Sequence, residues 1–206
     1  MVEAPEISGF PDAEDGKNFV VASIVTGLAF AAFYQDFTVS GLAFFSLASA
    51  AIVFSREVGV RSAVNLLDGY VDLEVSSSGA TTTLFGAILS IASGIGVILL
   101  FPLFSEASRE RYEQWGKSTD VIWARYSFYI SALGIVALLF SWFITYSLEL
   151  TQLAQMYGIF AFFQMMPFDY SGIPTGPLDG AKIIRWSGFY WLLFTGLSLL
   201  AIVLTL

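Results

Sequence analysis

Five apolar runs, at roughly 18–35, 37–54, 121–147, 151–168 and 186–206, are each long enough to cross the hydrocarbon core of a bilayer. Their density, with a mean hydropathy of +0.74, defines an integral membrane protein. At 206 residues the chain holds one helical bundle and no second domain. Residues 1–17 are polar and acidic (Glu3, Glu6, Asp12, Glu14, Asp15), so they read as a solvated N-terminal tail ahead of a bundle at 18–206, without a cleavable signal peptide.

A sixth apolar stretch, 82–104, has poor punctuation for a continuous helix. It opens at Thr81-Thr82-Thr83, carries Gly86, Gly94 and Gly96, and ends at Pro102. Charge decides how to treat it. If it crossed fully, Lys17, Arg56 and Arg61 would lie opposite Arg109, Arg111, Lys117, Arg125, Lys182 and Arg185. If it dips in and returns, every basic residue shares one face, and the other face holds only turns near Asp36 and Glu149. The positive-inside rule prefers the second arrangement. The expected fold class is therefore an all-α membrane bundle of about five full spans plus one re-entrant segment, with six full spans as the alternative. The N-terminus is then cytoplasmic and the C-terminus outside the cell membrane. This topology puts Arg56-Glu57, at the inner end of the second span, on the same side as Asp179.

Several function classes fall away. With no cysteine and no histidine, the chain has neither thiolate chemistry nor the usual zinc ligands. No metal and no cofactor is expected. A net charge of −8 argues against nucleic acid. Gly94-Ile95-Gly96 lacks the lysine of a nucleotide loop. Polar residues within spans, the mark of a transporter, are few, and Arg125 lies near a span end where it can snorkel. The partners expected are membrane lipid and an unidentified membrane-protein partner or client. Trp186, Phe189, Tyr190 and Trp191 read as an interfacial aromatic belt, and Glu106–Trp115 as an amphipathic helix or loop on the inner face.

Two segments carry a resemblance. The run Ser55-Arg56-Glu57-Val58-Gly59-Val60 closes the second span, and Pro177-Leu178-Asp179-Gly180 precedes the basic, Trp-containing Ala181-Lys182-Ile183-Ile184-Arg185-Trp186. In order and surroundings they resemble the site-2 protease family of intramembrane zinc metalloproteases, particularly its short archaeal-type members. In that family a span ends in His-Glu-x-x-His, and a later Leu-Asp-Gly supplies the third zinc ligand. The resemblance makes Glu57 a vestigial general base and Arg56, Val60 and Asp179 the former metal positions. Gln164 and Pro167 fall where the family has Asn and Pro, Gly69–Glu74 resembles its short extended element, and Ser131-Ala132-Leu133 stands for its Ala-Gly-Pro. Two histidines at i and i+4 face one side of a helix and can share a zinc ion. Arginine and valine offer no lone pair.

What the resemblance implies is a pseudoprotease: a catalytically inactive homologue that binds transmembrane segments or partner proteins. Removing a dication leaves Glu57 and Asp179 without counter-charge, which is costly if they are buried. Arg56 is therefore expected to pair with Asp179 in bidentate fashion, with Val60 filling the remaining void. The plainer readings are a snorkelling charged pair at Arg56-Glu57 and an ordinary Asp-Gly turn at Asp179. Two other functions stay open. One is a structural accessory subunit of a membrane complex, favoured if the cleft is plugged by Arg56 and bulky side chains. The other is a non-zinc protease using Glu57 and Asp179 as a dyad, although an adjacent arginine removes the shared proton such a dyad needs.

Overall fold

Two long helices, α1 (Ala13–Phe33) and α2 (Val39–Leu66), form an antiparallel hairpin at the start of the fold. The computed structural model describes residues 13–67, 71–101, 103–107, 119–168 and 178–206. The hairpin turn is tight: Gln35 adopts φ 56°, and Asp36 Oδ1 accepts from the Thr38 hydroxyl at 2.7 Å and the Thr38 amide at 3.1 Å. Thr38 in turn caps α2 by accepting from Gly41 N at 3.0 Å. α1 begins at Ala13, so Asp15 and Lys17 belong to a helix rather than to the solvated tail expected over 1–17. Residues 1–12 lie outside the described residues.

The segment after α2 departs from an all-α fold. Strand β1 (Val71–Val75) pairs antiparallel with β2 (Leu103–Ala107), with Val75 opposite Leu103 and Val71 opposite Ala107. Between them stands α3 (Ser77–Ser93), capped by Ser76 and stopped by Gly94 at φ 66°, a backbone that glycine adopts without a Cβ penalty. Residues 95–101 then run back along α3 without regular secondary structure. Thr83 and Ser90, two turns apart on one face of α3, accept the amides of Phe101 (2.9 Å) and Val97 (3.1 Å). The tip is pinned to the α1–α2 turn, because Ser90 Oγ donates to Ala32 O at 2.9 Å and Gln35 Nε2 donates to Ser90 O at 3.1 Å. A helix of 17 residues is about 25 Å long. The excursion therefore runs from the sheet to the opposite end of the bundle and comes back beside its start.

α4 (Thr119–Ser147) packs along α2, and a turn with Glu149 at φ 60° leads into α5 (Thr151–Gln164). α5 stops short of the expected 151–168, shortly before Pro167, which cannot continue a helix and restrains the residue ahead of it. Leu178 N donates to Phe168 O at 3.2 Å, joining the end of the α5 segment to the start of α6. The final apolar run, expected over 186–206, forms α7 (Gly188–Leu204), and the preceding α6 (Asp179–Trp186) is separated from it where Ser187 is extended at φ −157° and ψ 119°.

The core joins α1, α2, α4 and α5 with the returning segment. Phe30, Phe45, Ile52, Leu100, Leu103, Ile135, Leu138, Met156 and Phe160 are all buried. Tyr34 stacks on Phe45 at 5.3 Å and donates to Gln155 Oε1 at 2.6 Å. The periphery is apolar instead of charged: Val39, Leu47, Phe140, Phe189 and Val203 all stand exposed. Three helical stretches, Ala13–Phe33, Val39–Leu66 and Ala124–Ser147, are long and apolar enough to cross a membrane.

Candidate functional site

α2 runs on to Leu66, so Arg56 and Glu57 lie within it and not at its end. The helix thus continues past the expected span end, and Arg56, 0% exposed, does not snorkel to water. Close helix contact produces the burial. A Cβ added at Gly59 would meet Leu133 O at 2.4 Å, so the glycine lets α2 lie directly on the α4 backbone one turn from the arginine. Val60, also fully buried, packs against Gly134 of α4.

Asp179 reaches the same spot from the first turn of α6, where the helix dipole favours a negative charge. Its neighbour Gly180 permits the approach, because a Cβ there would lie 2.1 Å from Met165 O. Trp191 Nε1 donates to that same carbonyl at 2.8 Å, which ties α7 to the exit from α5. Trp191 is thus a structural anchor as well as part of an aromatic stripe. Leu178 is fully buried beside the site.

The guanidinium fills the space between these elements. Arg56 Nε and Nη2 donate to Asp179 Oδ2 and Oδ1, both at 2.9 Å, a bidentate pair. Arg56 Nη1 donates to Glu57 Oε1 and to Ser105 Oγ, both at 2.7 Å, and Ser105 Oγ donates on to Glu57 Oε1 at 3.1 Å. Four of the five guanidinium hydrogens thus have partners. Asp179 and Glu57 are themselves 1% and 7% exposed, so this is a charge cluster removed from water.

The cluster continues toward the sheet. Glu57 Oε2 has no hydrogen bond and lies 3.8 Å from Arg61 Nε, an electrostatic contact only. Arg61 Nη2 donates to Asp15 Oδ2 at 2.5 Å. Asp15 Oδ1 accepts from Leu73 N, and Asn18 Nδ2 donates to Leu73 O, both at 2.8 Å, so α1 imitates a neighbouring strand at the edge of β1. Lys182 donates to Ser105 O, bringing a third cation to three carboxylates. Asp15, Arg61, Ser105 and Lys182 were not singled out from the sequence. Asp15 and Asn18 share a helix face at i and i+3, a signal obscured by reading the tail as solvated; Ser105 carried none.

The other motif residues fall in different settings. Gln164 ends α5, is 0% exposed, and neither of its amide atoms has a partner among the described residues. Pro167 is exposed. Pro177, the loop at 169–176, Gly69-Tyr70 and the basic residues Arg109, Arg111 and Lys117 lie outside the described residues. Ser131, on the α4 face turned to α2, is fully buried and its hydroxyl makes no hydrogen bond.

A zinc ion does not fit this donor set. Asp179 and Glu57 are occupied by a guanidinium, Val60 is apolar, and among the described residues no three His, Cys, Asp or Glu side chains converge. What the arrangement provides is an electrostatic clip joining α2, α6 and β2. Compared with known proteins, the chain matches no family model, no curated protein and no solved structure.

Proposed function

We propose that this chain is a non-catalytic, site-2-protease-like membrane protein that binds a transmembrane segment in extended form. The inactive half of the reading rests on Arg56, which holds Glu57 and Asp179 together as a metal would and leaves neither carboxylate to share a proton with the other. The membrane topology that goes with it has α1, α2, α4, α5 and α7 crossing, and 76–102 re-entrant, with the N-terminus inside. Supporting this is the pairing of Val75 with Leu103, which puts both ends of the excursion at one level. α5 and α7, at 14 and 17 residues, are shorter than the ~20 residues of an untilted span, so the bilayer thins around them.

One observation carries the binding function. Along the return, Val97 and Phe101 donate their amides to α3, whereas Gly96 and Ile98, which are not fully buried, have no backbone hydrogen-bond partner among the described residues. These two leave backbone unpaired beside the part of the return that α3 holds. Unpaired backbone at membrane depth is expensive, and an extended client segment satisfies it by strand addition.

The competing reading, a structural subunit, has its own observation: the ion cluster is closed, with Arg56 wholly buried. Amide exchange separates the two. A synthetic transmembrane peptide with a Gly-Pro-weakened helix is added to the purified protein in micelles. Slower exchange at Gly96 and Ile98 is the expected result. Unchanged exchange at both sinks the binding reading and favours the structural one.

A further inference from the structure

Arg125 differs from the two arginines of α2. Arg56 and Arg61 are in ion pairs, whereas Arg125 is exposed and makes no ion pair among the described residues. Its guanidinium lies over the Tyr129 ring at 5.6 Å, and Nη2 donates weakly to the Tyr129 hydroxyl at 3.5 Å. The position matters: Arg125 lies about one turn inside the apolar run at 121–147, near the end where a crossing helix meets the headgroup layer.

The start of α7 meets α4 at the same level. Phe128, one turn beyond Arg125, packs against Trp186 at 6.1 Å and Tyr190 at 5.2 Å. Tyr129, Trp186 and Tyr190 are each about two-fifths exposed, at 38%, 38% and 41%. Aromatic rings with polar tips favour the membrane interface, and a guanidinium among them favours a phosphate, whose oxygens match its planar fork. Below this patch α4 offers an apolar track. Arg125, Tyr129, Val136 and Phe140 fall within roughly 60° of one another at about 100° per residue, and the last two are 46% and 63% exposed.

We propose that this patch is a binding site for an anionic phospholipid. The headgroup phosphate pairs with Arg125, the glycerol lies among Tyr129, Trp186 and Tyr190, and an acyl chain follows Val136 and Phe140. The proposal rests on the membrane-spanning reading of α4 and α7 and is independent of the fate of the metal site.

Native mass spectrometry of the delipidated protein tests it, by titration with palmitoyl-oleoyl phosphatidylglycerol and, in parallel, with the phosphatidylcholine of the same chains. Phosphatidylglycerol is expected to bind more tightly. Arg125→Gln should weaken it about fivefold, the effect of one basic residue at a lipid surface, and weaken phosphatidylcholine, whose choline cation offsets the same phosphate, by less. Arg125→Lys should retain most of the preference, and Tyr129→Leu, which spares the charge, should lose part of it. Unaltered thermal unfolding of Arg125→Gln excludes misfolding as the cause; should that variant misfold, Tyr129→Leu carries the test. Equal affinity for the two lipids, an unaffected Arg125→Gln, or displacement of phosphatidylglycerol by millimolar inorganic phosphate would each overturn the lipid site.

Discussion

Replacing Arg56 with methionine keeps much of the side-chain volume and removes the charge. The wild-type guanidinium makes two 2.9 Å bonds to Asp179 and two 2.7 Å bonds to Glu57 and Ser105. Its loss leaves two carboxylates that are 1% and 7% exposed facing an apolar thioether. Breaking a buried pair from one side costs about 3–5 kcal/mol, because the surviving charge is stranded. Here that is a shift of roughly a hundredfold to several thousandfold in the unfolding equilibrium. Deleting both partners behaves differently, since buried ion pairs replaced by apolar groups of similar volume are often neutral or stabilising. Arg56→Met/Asp179→Leu should therefore recover part of the loss, with Glu57 left to Ser105 and Arg61, and the cycle should give a coupling energy of about 2–3 kcal/mol. Titration of folded protein in mixed micelles with sodium dodecyl sulfate, followed by tryptophan fluorescence, reads all three variants. A single Arg56→Met cost below about 1 kcal/mol, or additive single and double variants, would mean that the guanidinium is not the clip.

Four further outcomes follow from particular contacts. Thr83→Val and Ser90→Ala each strand an amide of the returning segment, at Phe101 and Val97; each should cost about 1–3 kcal/mol and speed exchange at its own amide more than at the other. Gln164→Leu removes a buried amide with no partner. It should be neutral or stabilise by up to about 2 kcal/mol in the same titration. The two Thr38 hydrogen bonds, the hydroxyl's first, hold the Asp36 carboxyl below its ordinary 3.8. The folded value is depressed, so its contribution is present above the unfolded value and lost as pH falls through the folded one. Acidification below pH ~4 should loosen the α1–α2 turn, read as faster exchange at Thr38, and Asp36→Asn should abolish that dependence. Gly59→Ala puts a Cβ 2.4 Å from Leu133 O and should cost about 1–3 kcal/mol.

Hydropathy and charge made the long elements legible, because an apolar run must become a helix in lipid whatever its neighbours do. The glycines and Pro102 in 82–104 correctly marked a segment that is not one continuous helix, and the clustering of basic residues pointed to its return. Its interior was not legible: nothing in Thr83 or Ser90 announces that their hydroxyls will receive the returning chain. α2 proved longer than its apolar run because Arg56, Glu57 and Arg61 compensate one another, so charges that resemble a span end are helical and buried. Arg56 and Asp179 were found by their motif surroundings, and the structure brings them together. Ser105, Lys182 and Asp15 depend on tertiary approach from three different elements and leave no local pattern.

If Arg56 stands where a metal ligand would be in the proposed site-2-protease-like fold, metal content reports it. The protein, purified from membranes without chelator, is assayed for zinc beside Arg56→His/Val60→His, which places two imidazoles one turn apart on α2 facing Asp179. The account predicts no zinc in the wild-type protein and zinc bound by the double variant. Stoichiometric zinc in the wild type, or a folded double variant that takes up none, would contradict it.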